Sequence, residues 1–165
     1  MLSIAIQCGE HLLKNAIQLN DYHIGWSNTN GDGSVLTGMA HGNAGIAWAL
    51  TKLYEETHIV PLRDYAIQAF AYEREMYSPE ENNWFDLRHR QHRMQQNFPE
   101  PVNWCHGAPS IGMARVKIYN IIAEQKTGIE IERAIEKTLQ EGLGGSDCLC
   151  HGAMGNIDLL LLANI

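Results

Sequence analysis

The sequence predicts an all-α fold, an α/α toroid or solenoid of helical hairpins with about three hairpins in 165 residues. Apolar residues recur at helical spacing in several segments that Gly and Pro separate. No segment shows a convincing alternation of apolar and polar residues, as a strand would. A His-Gly step occurs three times, at His41-Gly42, His106-Gly107 and His151-Gly152, always where a polar or Gly-rich loop leads into an apolar helical pattern.

The first half of the chain contains three predicted helices. The first covers residues 2–18, whose apolar side chains share one helical face. Residues 20–37 are polar and Gly-rich and are predicted to be a loop, with a turn at 30–33. A helix follows at 43–57, and Pro61 lies in the first turn of the next helix, which extends to about Ser78.

The second half begins with residues 79–103, a long connection without apolar periodicity that we expect to be functional or mobile. A helix is predicted at 109–126, where Thr127-Gly128 breaks it, and another at 129–141. After a Gly-rich stop, the last helix begins near Gly152. The helices that follow the His-Gly steps are rich in small and apolar residues and form the expected inner layer, and the intervening helices form the outer layer.

The composition excludes several classes of protein. The net charge of −7 and the absence of a prominent basic cluster argue against nucleic acid as a partner. No apolar run approaches the roughly 20 residues of a membrane span. The N-terminus has no basic region typical of a signal peptide, so we expect a cytoplasmic protein. Four cysteines in such a protein favour thiols or metal ligands over disulfides.

The Cys-His-Gly triplets provide ligands that zinc prefers. Cys105, Cys150 and His151 form a candidate set of three, which leaves one position open as in catalytic zinc sites. The helix N-termini behind these loops carry partial positive charge, which stabilises thiolates and anionic intermediates. The alternative is a packing unit in which buried cysteines and glycines allow close approach of helices.

Other residues near these motifs allow more than one interpretation. His41 has the His-Gly context without a cysteine and is either a general acid or base facing the metal or a capping or core histidine. His106 is a fourth ligand, a substrate contact or a loop stabiliser. Cys148 is predicted to be a spare buried thiol. The cluster of Arg88, Arg90, Arg93 and two histidines is a solvated basic patch or a contact for an acidic peptide.

Three ordered motifs resemble the LanC-like family of lanthionine cyclases, most closely the cyclase domain of LanM-type lanthipeptide synthetases. The matching strings, which together span most of the chain, are Gly38-Met39-Ala40-His41-Gly42, Asn103-Trp104-Cys105-His106-Gly107-Ala108-Pro109 and Leu149-Cys150-His151-Gly152. Tyr72-Glu73-Arg74 and Trp84-Phe85-Asp86-Leu87-Arg88 are also similar to that type.

The resemblance implies an α/α toroid with zinc at its mouth, bound by Cys105, Cys150 and His151, and His41 as the acid or base. It also implies a substrate, a dehydrated lanthipeptide precursor whose cysteine thiolates add to dehydroalanine or dehydrobutyrine. Family toroids have about seven hairpins, and the family's acidic active-site residue would precede residue 1. We therefore expect residues 1–165 to be part of a cyclase domain in a larger synthetase, without its dehydratase domain.

Two other functions are compatible with the same motifs. One is a zinc-containing peptide-binding fragment without turnover. The other is a LanC-like protein that adds glutathione to dehydro-residues, although the string from Asn103 to Pro109 favours the LanM type over it.

Overall fold

The computed structural model describes residues 1–27, 33–88, 94–96, 98–122 and 124–165. Helices of ten or more residues in this part of the chain are α1 (Leu2–Lys14), α2 (Asn43–Thr57), α3 (Val60–Glu75), α4 (Ala108–Ile118), α5 (Gln125–Glu141) and α6 (Ala153–Leu162). Short strands are β1 (Ile17–Gln18), β2 (Ile24–Gly25), β3 (Tyr77–Ser78) and β4 (Asn83–Trp84). None of the described helices is long and apolar enough to span a bilayer.

The helices pack as hairpins. Helix α2 packs mainly on α3, and α4 packs mainly on α5. Helix α4 also contacts α2 on one side and α6 on the other, so the three helices that follow the His-Gly steps form one row. Helices α3 and α5 cover this row from outside, as the inner and outer layers of the prediction require.

Helix α4 lies at the centre of the core. Every residue from Ala108 to Arg115 is buried, because small side chains let α2, α5 and α6 approach it closely. Gly112 marks the tightest approach, since a Cβ there would lie 2.7 Å from the Ala134 side chain and 2.8 Å from that of Leu159. The central helix therefore ties the two hairpins to α6.

The structure adds two short strand pairs to the predicted helices. Strands β1 and β2 pair antiparallel, with Ile17 opposite Gly25, and β3 and β4 pair in the same way, with Tyr77 opposite Trp84. Each strand has two residues, which is too short to produce an alternating pattern. Helix α1 ends at Lys14 instead of the predicted residue 18, because strand β1 follows it. Helix α3 ends at Glu75 instead of Ser78, because strand β3 follows it.

The boundary between the fourth and fifth helices also differs from the prediction. Helix α2 has its predicted limits, but α4 ends at Ile118, and Thr127-Gly128 lie inside the first turn of α5. The amides of Ile121 and Ile122 both donate to the carbonyl of Ile118, so the chain turns where the apolar pattern predicted more helix. Most of the predicted turn at 30–33 and of the basic cluster after Arg88 lies outside the described residues.

Candidate metal centre and acid–base site

The loops before α2 and α6 have the same local construction. A Cβ at Gly42 or Gly152 would collide with the backbone of Thr37 or Ser146, respectively. Three residues later, a Cβ at Gly45 or Gly155 would collide with a carbonyl oxygen, that of Met39 or of Leu149. Each loop therefore folds back tightly over the first turn of its helix, which only glycine permits. The loops before α2 and α6 thus share their backbone conformation as well as their His-Gly step.

The loop before α4 is a variant of this design. Gly107 has a φ of 76°, and Ser110 occupies the position that corresponds to Gly45 and Gly155. The hydroxyl of Ser110 accepts a hydrogen bond of 2.6 Å from the Met39 amide, so this loop is joined to the loop before α2. Asn83 supports it from the other side, because its Oδ1 accepts from the Ala108 amide at 2.8 Å. Together these bonds fix the position of Cys105.

The structure brings Cys105, Cys150 and His151 together. One ligand atom from each lies within 4.8 Å of the other two, and this is the one cluster of three or more potential metal ligands in the described part of the chain. The Cys150 Sγ lies 3.8 Å from the His151 Nε2. Cys105 is buried, whereas Cys150 and His151 are exposed, so the cluster opens to solvent on one side.

The chemistry of the cluster fits a zinc ion. Burial and the adjacent Cys150 thiol raise the pKa of Cys105 to about 11, so a bound cation would favour the thiolate form of Cys105. Zinc takes thiolate and imidazole ligands at about 2.0–2.3 Å, so three ligand atoms within 4.8 Å of one another suit a single ion. Three protein ligands in an open site leave a fourth position for another group.

Amide side chains hold the loop that carries His151. The Asn103 amide nitrogen, in the orientation that satisfies its neighbours, donates to the His151 carbonyl at 3.1 Å. Asn156 Nδ2 donates to the carbonyls of Val102 and Gly142, both at 2.8 Å. These bonds connect the third loop to the segment before Cys105, and no local pattern in the sequence indicated them.

The prediction that Cys148 is a buried thiol is wrong. Its side chain is exposed, because it lies in the polar Gly-rich loop before α6. A hydrogen bond with Ser146 lowers the pKa of Cys148 from its ordinary value, and the Cys148 Sγ accepts the His151 amide at 3.4 Å. Cys148 is not part of the ligand cluster.

The imidazoles of His41 and His106 are stacked. Their ring centroids are 5.6 Å apart and their planes differ by 16°. His41 is exposed, whereas His106 is 1% exposed, and burial lowers the pKa of His106 to about 4. The neutral ring of His106 has no hydrogen-bond partner among the described residues. The His106 ring therefore packs against the ring of His41. This contact favours the role of loop stabiliser among the three roles predicted for His106.

Arg88 is also close to the cluster. Its Nε and Nη2 donate to the two oxygens of the buried Asp86 carboxylate at 3.0 and 2.8 Å. The guanidinium lowers the pKa of Cys105, against the larger effect of burial. Arg88 is thus paired and part-exposed, whereas Arg90 and Arg93 lie outside the described residues. The two-residue spacing of Asp86 and Arg88 could have indicated this pair.

A cleft of about 690 Å³ lies beside His41, on the inner faces of α2 and α4. Its walls are mostly apolar and include Met39, Trp48 and Trp104. A smaller pocket of about 250 Å³ is lined by Cys150 and shares Trp104 and Asp158 with the cleft. His41 and the ligand cluster therefore face adjoining parts of one concave surface.

Comparison with known proteins identifies relatives of this architecture. The family model described as lanthionine synthetase C-like protein matches residues 1–164. Among solved structures, nisin cyclase superposes with a TM-score of 0.72 at 19% identity, over 96% of this chain and 44% of its own. No curated protein sequence gives a match. The predicted all-α architecture, a partial toroid of helical hairpins, is confirmed by this superposition, and the chain spans less than half the length of nisin cyclase.

Proposed function

Because the chain belongs to the lanthionine synthetase C-like family, as its motifs predicted, we propose that it carries part of the active site of a zinc-dependent lanthionine and methyllanthionine cyclase. The observation that supports this best is the open cluster of Cys105, Cys150 and His151 within 4.8 Å, next to an exposed histidine on the neighbouring loop. The substrate is a precursor peptide that contains cysteines and dehydrated serine or threonine residues.

Cys105, Cys150 and His151 would bind the ion through two thiolates and an imidazole nitrogen. When bound there, zinc would lower the pKa of a substrate thiol, so that the thiolate would form near neutral pH. The ligand loops lead directly into α4 and α6, whose first residues are Ala108 and Ala153. The positive ends of these two helix dipoles favour negative charge at the cluster.

His41 completes the addition as the proton donor. The substrate thiol releases its proton to solvent, from which His41 takes one up. The thiolate sulfur then bonds to the β-carbon of the dehydro-residue, and the electron pair of the C=C bond moves toward the α-carbon and its carbonyl. His41 then donates a proton to the α-carbon, which leaves a thioether ring. A histidine suits this role because its pKa lies near the working pH. We further propose that a larger synthetase supplies the rest of the ring of hairpins.

Metal analysis tests the ligand assignment. Cys105→Ala and Cys150→Ala should each lose most of the zinc that the wild-type chain retains, because two remaining ligands bind weakly. Cys8→Ala is the matched control, since this exposed cysteine lies on α1 away from the cluster. Full zinc retention in both ligand variants contradicts the assignment, and zinc loss in Cys148→Ala would indicate a different ligand set.

Thiol counting tests the reaction in a synthetase that carries this segment. Cyclisation leaves the mass of a dehydrated peptide unchanged but removes free thiols, so an alkylating reagent should add fewer groups after reaction with wild type. His41→Asn should retain zinc and slow the loss of thiols. Peptide binding without thiol loss would favour the binding fragment, and consumption of glutathione would favour the glutathione-adding protein.

A further inference from the structure

The loop that carries His41 is held by a carboxylate from another helix. Glu73 of α3 is fully buried, and its Oε1 accepts hydrogen bonds from the amides of Gly38 at 2.8 Å and Ala44 at 2.9 Å. These two amides lie on either side of His41, three residues before it and three after it. One oxygen atom therefore joins both ends of the segment that presents the imidazole.

The other oxygen of Glu73 connects this loop to the central helix. Glu73 Oε2 accepts from Arg115 Nη1 at 3.1 Å, and Arg115 Nε donates to Glu130 at 2.7 Å. The Arg115 guanidinium lies 4.4 Å from the centroid of the Phe70 ring. Arg115 belongs to α4, the helix that begins directly after the Cys105 loop. The Glu73–Arg115 pair thus connects the His41 loop to the helix that follows a predicted metal ligand.

A second contact holds the same loop from the side of α4. The Met39 amide donates to Ser110 Oγ, and a Cβ at Gly38 would lie 2.9 Å from the Cys105 carbonyl oxygen. Gly38 has a φ of 99°, a conformation that favours glycine. Consecutive amides of the loop therefore bond to side chains of two different helices, which leaves it little freedom relative to Cys105.

Stability alone does not account for this arrangement. Buried ion pairs cost desolvation energy, and apolar replacements of similar volume are often equally stable or more stable. A fully buried carboxylate with hydrogen bonds to two loop amides and one guanidinium instead fixes the orientation of these groups, because each bond requires a defined geometry. The atoms that it orients belong to the His41 segment.

We propose that Glu73 is a positioning residue for His41: its carboxylate, oriented by Arg115, holds the imidazole at the distance from the Cys105 loop that proton transfer to the substrate requires. This inference rests on the proposed function. Glu73 does not touch the substrate, and it acts through the backbone of the loop. A displacement of about 1 Å at a reacting group can reduce the rate by about a hundredfold.

The test compares Glu73→Gln with Glu130→Gln in a synthetase that carries this segment. Both substitutions remove a buried carboxylate that bonds to Arg115, but the hydrogen bonds of Glu130 come from Arg74 and Arg115 and not from amides of the His41 loop. In Glu73→Gln, the amide cannot accept from the loop and from Arg115 at the same time, since one of its two polar atoms is a donor. Glu73→Asp is a second variant, which retains the charge but is one methylene too short to reach the loop.

Three measurements decide the outcome. Both Glu73 variants should lower kcat for thioether formation by about tenfold to a hundredfold, because the His41 loop is displaced. KM should stay within about threefold of wild type, because the surface that binds the peptide is retained. They should also shift the His41 imidazole signals in NMR spectra and accelerate hydrogen exchange at Gly38 and Ala44. Glu130→Gln should lower the melting temperature yet retain kcat and the His41 signals of wild type.

Several results would overturn the proposal. These are unchanged kcat and His41 signals in both Glu73 variants, equal changes in Glu130→Gln, or Glu73 variants that fail to fold while Glu130→Gln folds. If wild type consumes no peptide thiols, the proposed function fails. The NMR and exchange measurements still decide whether Glu73 holds the His41 loop, because they need no substrate.

Discussion

At the scale of single residues, burial of polar side chains near the His-Gly loops shifts their pKa values. Glu73, His106 and Cys105 are all buried beside the loops, and burial changes the pKa of each in the direction of the neutral form. Cys105 and His106 belong to a repeated triplet, but Glu73 does not. The ligand candidates could be recognised because Cys-His-Gly occurs twice, whereas Glu73 could not be assigned a role, since its partners lie 29 to 42 residues away along the chain.

The buried imidazole of His106 should make stability depend on pH. Its pKa falls from 6.5 to about 4 in the folded chain, so the unfolded chain binds a proton first as the pH decreases. Stability is therefore complete above pH 6.5 and is lost as the pH falls toward 4, by up to about 3 kcal/mol. Urea unfolding of chelator-treated protein across this range measures the slope.

The matched variants for this measurement are His106→Gln and His11→Gln. His106→Gln should flatten the dependence between pH 6.5 and 4, because it removes the buried titratable ring. His11 is exposed on α1, so its replacement controls for the loss of one histidine. An unchanged slope in His106→Gln would assign the pH dependence to other groups.

At the scale of elements, the accuracy of the prediction depended on how the chain marks its boundaries. Helix α2 was predicted correctly because it begins after the tight Gly42 turn and ends where His58 adopts a φ of 57°. The end of α4 was not, since Ile121 and Ile122 continue the apolar spacing although they form a turn that buries Ile122. Apolar periodicity reflects burial. A buried non-helical turn can therefore have the same apolar spacing as a continued helix.

Replacement of Gly155 by Ala should disrupt the loop of Cys150 and His151. The new Cβ would collide with the Leu149 carbonyl oxygen, and backbone must move to relieve it. We expect a loss of about 3 kcal/mol in stability and a marked loss of zinc, because the displaced carbonyl precedes a ligand. Thermal unfolding and metal analysis measure the two effects.

Gly144→Ala is the control for this substitution. Gly144 lies in the same Gly-rich segment, and a Cβ there would meet nothing within 4 Å. It should leave stability within about 0.5 kcal/mol and zinc content unchanged. Equal behaviour of the two variants would refute the argument that the loop requires close backbone approach.

At the scale of the whole molecule, the two outermost helices have exposed apolar surface. In α6, Leu159 and Leu160 are buried but Leu161 is 66% exposed, as expected for four successive leucines that cannot share one side. Leu2 and Ile4 of α1 are exposed at the other end. The hairpin architecture could be predicted from the repeated motif, but which leucines lack a partner depends on packing.

The 165-residue chain should therefore self-associate as its concentration rises. Leu161→Lys should reduce this association, because it places a charge on the exposed face of α6. Val60→Lys is the control, since Val60 is an exposed apolar residue at the start of the outer helix α3. Sedimentation velocity measures the effect, and a wild-type chain that stays monomeric at all concentrations would contradict the expectation.

The candidate ligands come from two loops that are distant along the chain. Cys105 precedes α4, whereas Cys150 and His151 precede α6, and the whole hairpin of α4 and α5 lies between them. A metal bound by all three would work as a cross-link, and its binding energy would become folding energy for the segment it closes. During synthesis the cross-link can form only after the hairpin has emerged, so metal capture would mark the moment at which α6 joins the central helix. Chelation would then release α6 before it disturbs the rest of the chain.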